Sequence, residues 1–251
     1  VRTALISDVH GNRLALEAVL AELDREGVEQ VVCLGDALQG GPEPVGCLEL
    51  LTARAVPTVL GNADAFALDP ATAEGSSEPV TEKQLAARAW TRDRLSDEQA
   101  AVVAAWPLAL DLDLGHRLRL LAFHATPRSY HPLLFPTATD DEFRATLGPV
   151  DAALAAGGHT HLQFVRRVGA TTFVNPGSVG FGHDHAQPED GFALDPWASY
   201  AVVTTGEGGL RLDLRRLAFD AREVAAALRS CGMPFADERA AAWERGAMRA
   251  V

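Results

Sequence analysis

The sequence predicts an α/β chain whose first half is built from parallel strands joined by helical crossovers, and three observations predict it. Short apolar runs alternate with helix-period segments over the first 125 residues. From about residue 150 the apolar runs follow one another with only short turns between them. No apolar run approaches the roughly 18 residues of a membrane span, while 47 % apolar content is enough to bury a full core.

"TALIS" (3–7) reads as a buried strand. A helix is expected from about Arg13, with Leu16, Val19, Leu20 and Leu23 on one face and Gly27 placed to end it. "QVVCL" (30–34) is a second strand, "PEPVGCLELLTARA" a second helix with Pro44 in its first turn, and "PTVL" (57–60) a third strand. That alternation implies right-handed crossovers and a parallel sheet buried on both faces. Residues 65–106 interrupt it: "DPATAEGSSEP" is loop-like, and two helical stretches follow, the second opened by Ser96 and Gln99 as a capping box. This helical insertion is expected to pack beside or over the site.

"LALDLDLGHRLRLLAFH" reads as a hairpin turning near Gly115, with its second strand ending at His124. Strands are expected next at "DAALAA", "LQFVRRV", "TTFVN", "SYAVVTT" and "LRLDLRRLAF", with antiparallel hairpins through "VGAT" and "GEGG". Asp220 with Glu223 opens a late helix that Gly232 closes, and a last helix fills 236–249. The loop 182–198 is long and polar enough to be mobile or functional. One domain over 1–251 is expected, with 220–251 as a C-terminal helical tail.

Cys33, Cys47 and Cys231 are scattered and odd in number, which suits reduced thiols in a cytoplasmic protein. No secretory signal is visible. The net charge of −12 repels polyanions, so a nucleic-acid polymer is not an expected partner, and without a long apolar run neither is a membrane. A small phosphorylated substrate still fits if bound cations reverse the sign locally. A homodimer is compatible with the sequence. Lys83 is the single lysine against many arginines, a compositional bias that carries no function.

The polar residues gather after the apolar runs. Asp8 and His10 follow "TALIS", Asp36 follows "VVCL", Asn62 follows "TVL", His124 follows "LLAF", and His159 and His161 follow "ALAAG". Ligands of open α/β sheets bind at the carboxyl ends of strands, so these seven side chains are expected to meet. In extended backbone His159 and His161 share a side, so both could face one ion. Two carboxylates, an amide and four imidazoles exceed a tetrahedral site and suit two ions about 3.5–4 Å apart with a bridging carboxylate. Oxygen and nitrogen donors without thiolate favour Mn, Fe, Zn, Ni or Co, with Mn the first candidate.

"DVH", "GDALQGG", "GNAD", His124 and "GHTH" stand in the order of the calcineurin-like metallophosphoesterase superfamily, which the chain resembles over about 2–220. "SDVHGN", "WTRDRLSDEQ", "FHATPRS" and "NPGSVG" look like its bacterial phosphodiesterase-like, diadenosine tetraphosphatase-related subgroup. The resemblance implies a four-layer αββα sandwich of two mixed sheets flanked by helices, with a dinuclear centre at the strand ends. It implies that Asp8, His10, Asp36 and His161 hold one metal, and that Asn62, His124 and His159 join a bridging Asp36 on the other. It further implies a hydroxide, available near neutral pH, that attacks a phosphoester in line.

One position departs from that pattern. Many members carry His after "GN", where it assists the leaving group; here Ala63 stands there, and Asp64, which would orient that His, remains. A general acid contributes about 10²–10⁴-fold, so aryl diesters and phosphoanhydrides are expected to outpace alkyl monoesters. His131 and His185 are candidate surrogate acids, with His183 beside them; for each, a surface loop is the plain alternative. Asn12 either contacts phosphate, as Asn62 does in the expected site, or caps the first helix. Ser178 is expected to fix the loop under the site. A protein or monoester phosphatase, a nuclease and a non-catalytic metal-binding scaffold are the competing functions.

Overall fold

The computed structural model describes residues 1–69, 80–188 and 190–249. Most of the loop expected at "DPATAEGSSEP" lies outside them. Strand β1 (Arg2–Ile6), helix α1 (Arg13–Arg25) and strand β2 (Gln30–Cys33) form a parallel crossover, with Thr3 opposite Gln30 and Ile6 opposite Cys33. Helix α1 forms where the 3.6-residue apolar stripe predicts, and the Asn12 side chain accepts from the Ala15 N–H to cap it. Helix α2 (Pro44–Ala53) follows, with Pro44 at its start.

"PTVL" is not a full strand. Cys33 N–H donates to Pro57 O and Val59 N–H to Cys33 O, a single parallel bridge, before Leu60 N–H turns away to Pro107 O. Three short helices come next: α3 (Asn62–Leu68), α4 (Glu82–Arg92) and α5 (Asp97–Ala104). The expected boundary at residue 65 falls inside α3, which begins at Asn62 itself. Ser96 and Gln99 close the capping box expected on α5.

Strands β3 (Ala109–Asp113) and β4 (Arg119–Phe123) are the expected hairpin. Helix α6 (Asp140–Leu147) precedes β5 (Leu154–Ala156), which is only three residues long rather than the six of "DAALAA". Strands β6 (Gln163–Val168) and β7 (Thr171–Pro176) form one antiparallel hairpin, β8 (Trp197–Gly206) and β9 (Gly209–Ala218) the other. Helices α7 (Ala221–Ser230) and α8 (Ala236–Arg249) close the chain. Asp220 caps α7 by accepting from Arg222 N–H.

The strands form two mixed sheets, β2-β1-β8-β9 and β3-β4-β5-β7-β6. The purely parallel sheet expected from the first half is corrected by β8, which lies antiparallel on β1 with Leu5 opposite Ala201. Alternation along the strands assigns the layers. Leu5, Val32, Ala201 and Val203 meet Leu120, Ala122, Leu154 and Val174 between the sheets. Ala4, Ile6 and Val202 face α1, α2 and α5. Phe123, Ala155 and Phe173 face Phe143 and Leu147 of α6. A separate small core joins α7 and α8 to Trp90 and Leu194. The loop 182–198 is tied to α8 through Leu194 N–H donating to Ala242 O. The three cysteines are free, Cys33 and Cys47 buried, and no helix of the described residues is long and apolar enough to cross a membrane.

Candidate metal centre

The loops leaving β1, β2, β4 and β5 rise at one edge of the sandwich, joined by the start of α3. Asp8 N–H donates to Gly35 O and His10 N–H to Asp36 O, which binds the loop after β1 to the loop after β2. Gly158 N–H donates to His124 O, and His159 N–H donates to Asp8 Oδ2, which draws the second sheet against the first. Close approach here excludes any Cβ at Gly61, where it would strike the Asp36 carboxylate, and at Gly158, where it would strike Ser7 and Asp8.

Two groups of donors result: Asp8, His10 and His161, and beside them Asp36, His124 and His159. Within each, the candidate ligand atoms lie within 4.8 Å of one another. Five of these six residues have left-handed backbone: Asp8, His10, Asp36, His159 and His161, with φ from +50° to +67°. Such a conformation costs on the order of 1–3 kcal/mol for a residue with a side chain, and it persists where the surroundings over-determine it. Here it turns successive side chains inward from short loops.

Each imidazole is oriented by a backbone carbonyl. His10 Nδ1 meets Gln39 O at 2.7 Å, His124 Nδ1 meets Leu34 O at 2.8 Å, and His161 Nδ1 meets Phe181 O at 2.7 Å. His159 Nε2 meets His131 O at 2.9 Å. A carbonyl only accepts, so the outer nitrogen carries the proton and the inner one is left as a lone pair. Those inner nitrogens face one another: His10 Nε2 and His161 Nε2 at 3.1 Å, His124 Nε2 and His159 Nδ1 at 3.2 Å. Asp8 Oδ1 lies 3.2 Å from His161 Nε2, Asp36 Oδ2 lies 3.3 Å from His124 Nε2, and both carboxylates are buried. Asp8 Oδ1 has no hydrogen-bond donor. The Asn62 amide sits 2.9 Å from His124 Nε2 and faces the same acceptors.

Acceptors crowded against acceptors demand positive charge. The titration behaviour says the same. Burial alone would depress His124, yet Asp36 beside it prevails and lifts the ring to about 9. Burial and the adjacent His124 push His159 down to about 4. Burial raises Asp8 and Asp36, but the imidazoles against them outweigh it and hold both below the usual carboxylate range. A proton on one nitrogen relieves part of the crowding; a divalent cation in each group relieves all of it. The donor set therefore fits two metal ions.

The residues around this centre divide clearly. Asp64 is buried, pushed up to about 7 by burial and by Asp36, and accepts from Ala37 N–H at 2.9 Å and Leu38 N–H at 3.0 Å. It therefore fixes the loop that carries Asp36. Ala63 N–H donates to Asp36 Oδ1 at 2.8 Å. Asn12 spends both polar atoms on the fold, capping α1 and donating to Gly180 O at 3.3 Å. Ser178 Oγ donates to Asp8 O at 2.7 Å. The His185 ring meets Thr160 O at 2.7 Å and stacks on His183 at 4.5 Å, and His183 in turn lies against His161. The His131 ring packs on Tyr130 and Phe66. The four orienting carbonyls escaped the sequence, since every residue carries one and no side chain marks them.

A family model described as the calcineurin-like phosphoesterase superfamily domain matches residues 1–196. A Methanocaldococcus jannaschii protein, the uncharacterized MJ0912, is 28 % identical over 240 residues, covering 88 % of this chain and 89 % of that protein. The crystal structure of a metallophosphoesterase from Sphaerobacter thermophilus is 26 % identical with a TM-score of 0.70, covering 97 % of this chain and 99 % of that one. Hypothetical protein PH1004 from Pyrococcus horikoshii shares the fold at a TM-score of 0.76 and 18 % identity, covering 94 % and 96 %.

Proposed function

The chain belongs to the calcineurin-like phosphoesterase superfamily, and from that premise we propose that it hydrolyses small phosphodiester or nucleotide-type substrates. In this reading Asp8, His10, Asp36 and His161 hold one divalent ion, and Asn62, His124 and His159 share Asp36 on the second, with manganese the first candidate. The observation that carries it is the cage of buried and half-buried acceptors, four of them imidazoles aimed inward by backbone carbonyls. Bound there, two divalent ions supply Lewis acidity and bring the pKa of a water towards neutrality.

The chain's own residues set the preference among substrates. No imidazole follows Asn62, and the Ala63 N–H is already committed to Asp36. A departing alkoxide finds no proton donor at that position, whereas an aryl oxide or a phosphate leaves without one. This supports diesters with good leaving groups and phosphoanhydrides over alkyl monoesters, in line with the phosphodiesterase-like motifs "FHATPRS" and "NPGSVG". His131 and His185 are the proposed alternatives as proton donor. If either acts, its change to Ala lowers turnover of alkyl esters most; unchanged rates on every substrate dismiss both.

The test is a comparison on manganese-loaded protein. Bis-p-nitrophenyl phosphate is expected to turn over faster than p-nitrophenyl phosphate, and both faster than an alkyl monoester. Metal bound without turnover of any of them would instead support a scaffold.

A further inference from the structure

Helix α8 lies beyond residues 1–196, the span of the family match, yet one of its side chains reaches the metal loops. Arg239, in the first turns of α8, donates from Nη1 to Gly40 O at 2.6 Å. Gly40 follows Gln39, whose carbonyl orients His10, and a Cβ on Gly40 would touch the His10 ring. The guanidinium therefore holds the residue that packs on the ring of a candidate metal ligand, His10, and that follows the carbonyl orienting it.

Its partners are few. Arginine has five N–H donors in a planar fork, and among the described residues Arg239 makes this one hydrogen bond and no ion pair. The acids nearest to it on α8 are engaged elsewhere: Asp237 faces Arg229 at 3.4 Å and Glu238 pairs with Lys83. Arg239 is half-buried, and burial pulls its pKa down with no carboxylate to restore it. A cation kept desolvated and uncompensated beside a phosphoester site is poised for an anion.

We propose that Arg239 binds a second phosphate of the substrate, next to the one held at the metals, so that the preferred substrates are phosphoanhydride-bearing nucleotides. This rests on the hydrolase reading above and deepens it. Specificity would then come from the C-terminal helix pair, and hydrolysis from the strand ends.

The test uses the full-length, manganese-loaded protein and the variant Arg239→Gln, which keeps a donor for Gly40 O and loses the charge and the fork. Two substrates are compared, a dinucleoside polyphosphate and bis-p-nitrophenyl phosphate, which has no second anionic group. The ratio of kcat/KM for the first to kcat/KM for the second is expected to fall about 10- to 100-fold, the worth of a charged hydrogen bond, mostly through KM. Calorimetric binding of inorganic pyrophosphate is expected to weaken by a similar factor. An unchanged ratio together with unchanged pyrophosphate affinity overturns the proposal.

If the parent protein turns over neither substrate, the hydrolase reading falls. The pyrophosphate comparison then decides Arg239 alone: weaker binding in the variant supports it, and equal binding overturns it. Should Arg239→Gln fail to fold, Arg239→Lys, which keeps charge without the fork, carries the same comparison with an expected fall of about 3- to 10-fold.

Discussion

Strand β1 ends in two opposite kinds of electrostatics. At its opening end Arg2 donates to Glu26, the residue that caps the C-terminus of α1, and Arg215 from β9 reaches the same carboxylate. These side chains are 24–31 % exposed, opposite signs meet, and water shares the load. At its closing end Asp8 is fully buried in left-handed backbone, with one oxygen lacking any donor and acceptors all round it. The first end satisfies every local rule and contributes little. The second breaks several at once, and its disorder of charge makes sense only with a cation supplied from outside.

The contrast can be broken or sharpened by experiment, and the largest effect belongs to Asp36. Asp36→Asn removes the carboxylate proposed to bridge the two ions. Loss of even an outer metal partner costs 10–100-fold, so hydrolysis should drop by more than about 10²-fold, with metal content falling below two per chain. Parent-like metal content and rate would remove the bridge from the account.

Loading the metal is the next largest. Manganese at about a thousand times its Kd stabilises a native-only site by about 4 kcal/mol, or about 8–16 °C in Tm at this size. Hydrogen exchange should slow around residues 8–12 and 158–161, while the Arg2–Glu26 end stays as it was. Equal slowing at both ends would erase the contrast. Gly61→Ala follows, since its Cβ would collide with Asp36. Overpacking of this kind costs about 1–3 kcal/mol, and a normal Tm with intact metal binding would show that the loop can yield.

Ala63→His is expected to gain about tenfold on alkyl monoesters, below the full worth of an evolved general acid; no gain would mean that leaving-group protonation does not limit the rate. Smallest is the other end of β1. Hydrogen bonds from Arg215 and Arg2 hold Glu26 at about 2 against an ordinary 4.5. A depressed folded pKa adds stability that is complete above about 4.5 and disappears as the pH falls towards 2. The difference in unfolding free energy between the parent and Glu26→Gln should shrink over that window, and should stay within about 1 kcal/mol above it.

Much of the metal floor was legible because it breaks local pattern. Asp8, Asp36, His124, His159 and His161 each follow an apolar run closely, where a buried strand gives no reason for a charge or an imidazole. The amphipathic stripe of α1 and the capping box of α5 were legible because both are short-range rules. Three features were not. Helix α3 begins at Asn62, but "NADAFAL" is too short for a period to show. "PTVL" has strand composition, yet the chain leaves for Pro107 after one bridge, a choice made by distant residues. The placement of β8 beside β1 joins residues some two hundred apart, and nothing in either segment names the other.

That last placement bears on how the molecule is made. During synthesis β1 and β2 leave the ribosome long before β8, which must later slot between β1 and β9. Until then β1 shows a bare hydrogen-bonding edge flanked by apolar residues, the kind of surface that recruits other nascent chains. A fragment ending at residue 196 would keep the metal-facing side chains and lose the strand that seals them in, so shielding by a chaperone, or an intact C-terminal fifth, becomes a condition for a productive fold.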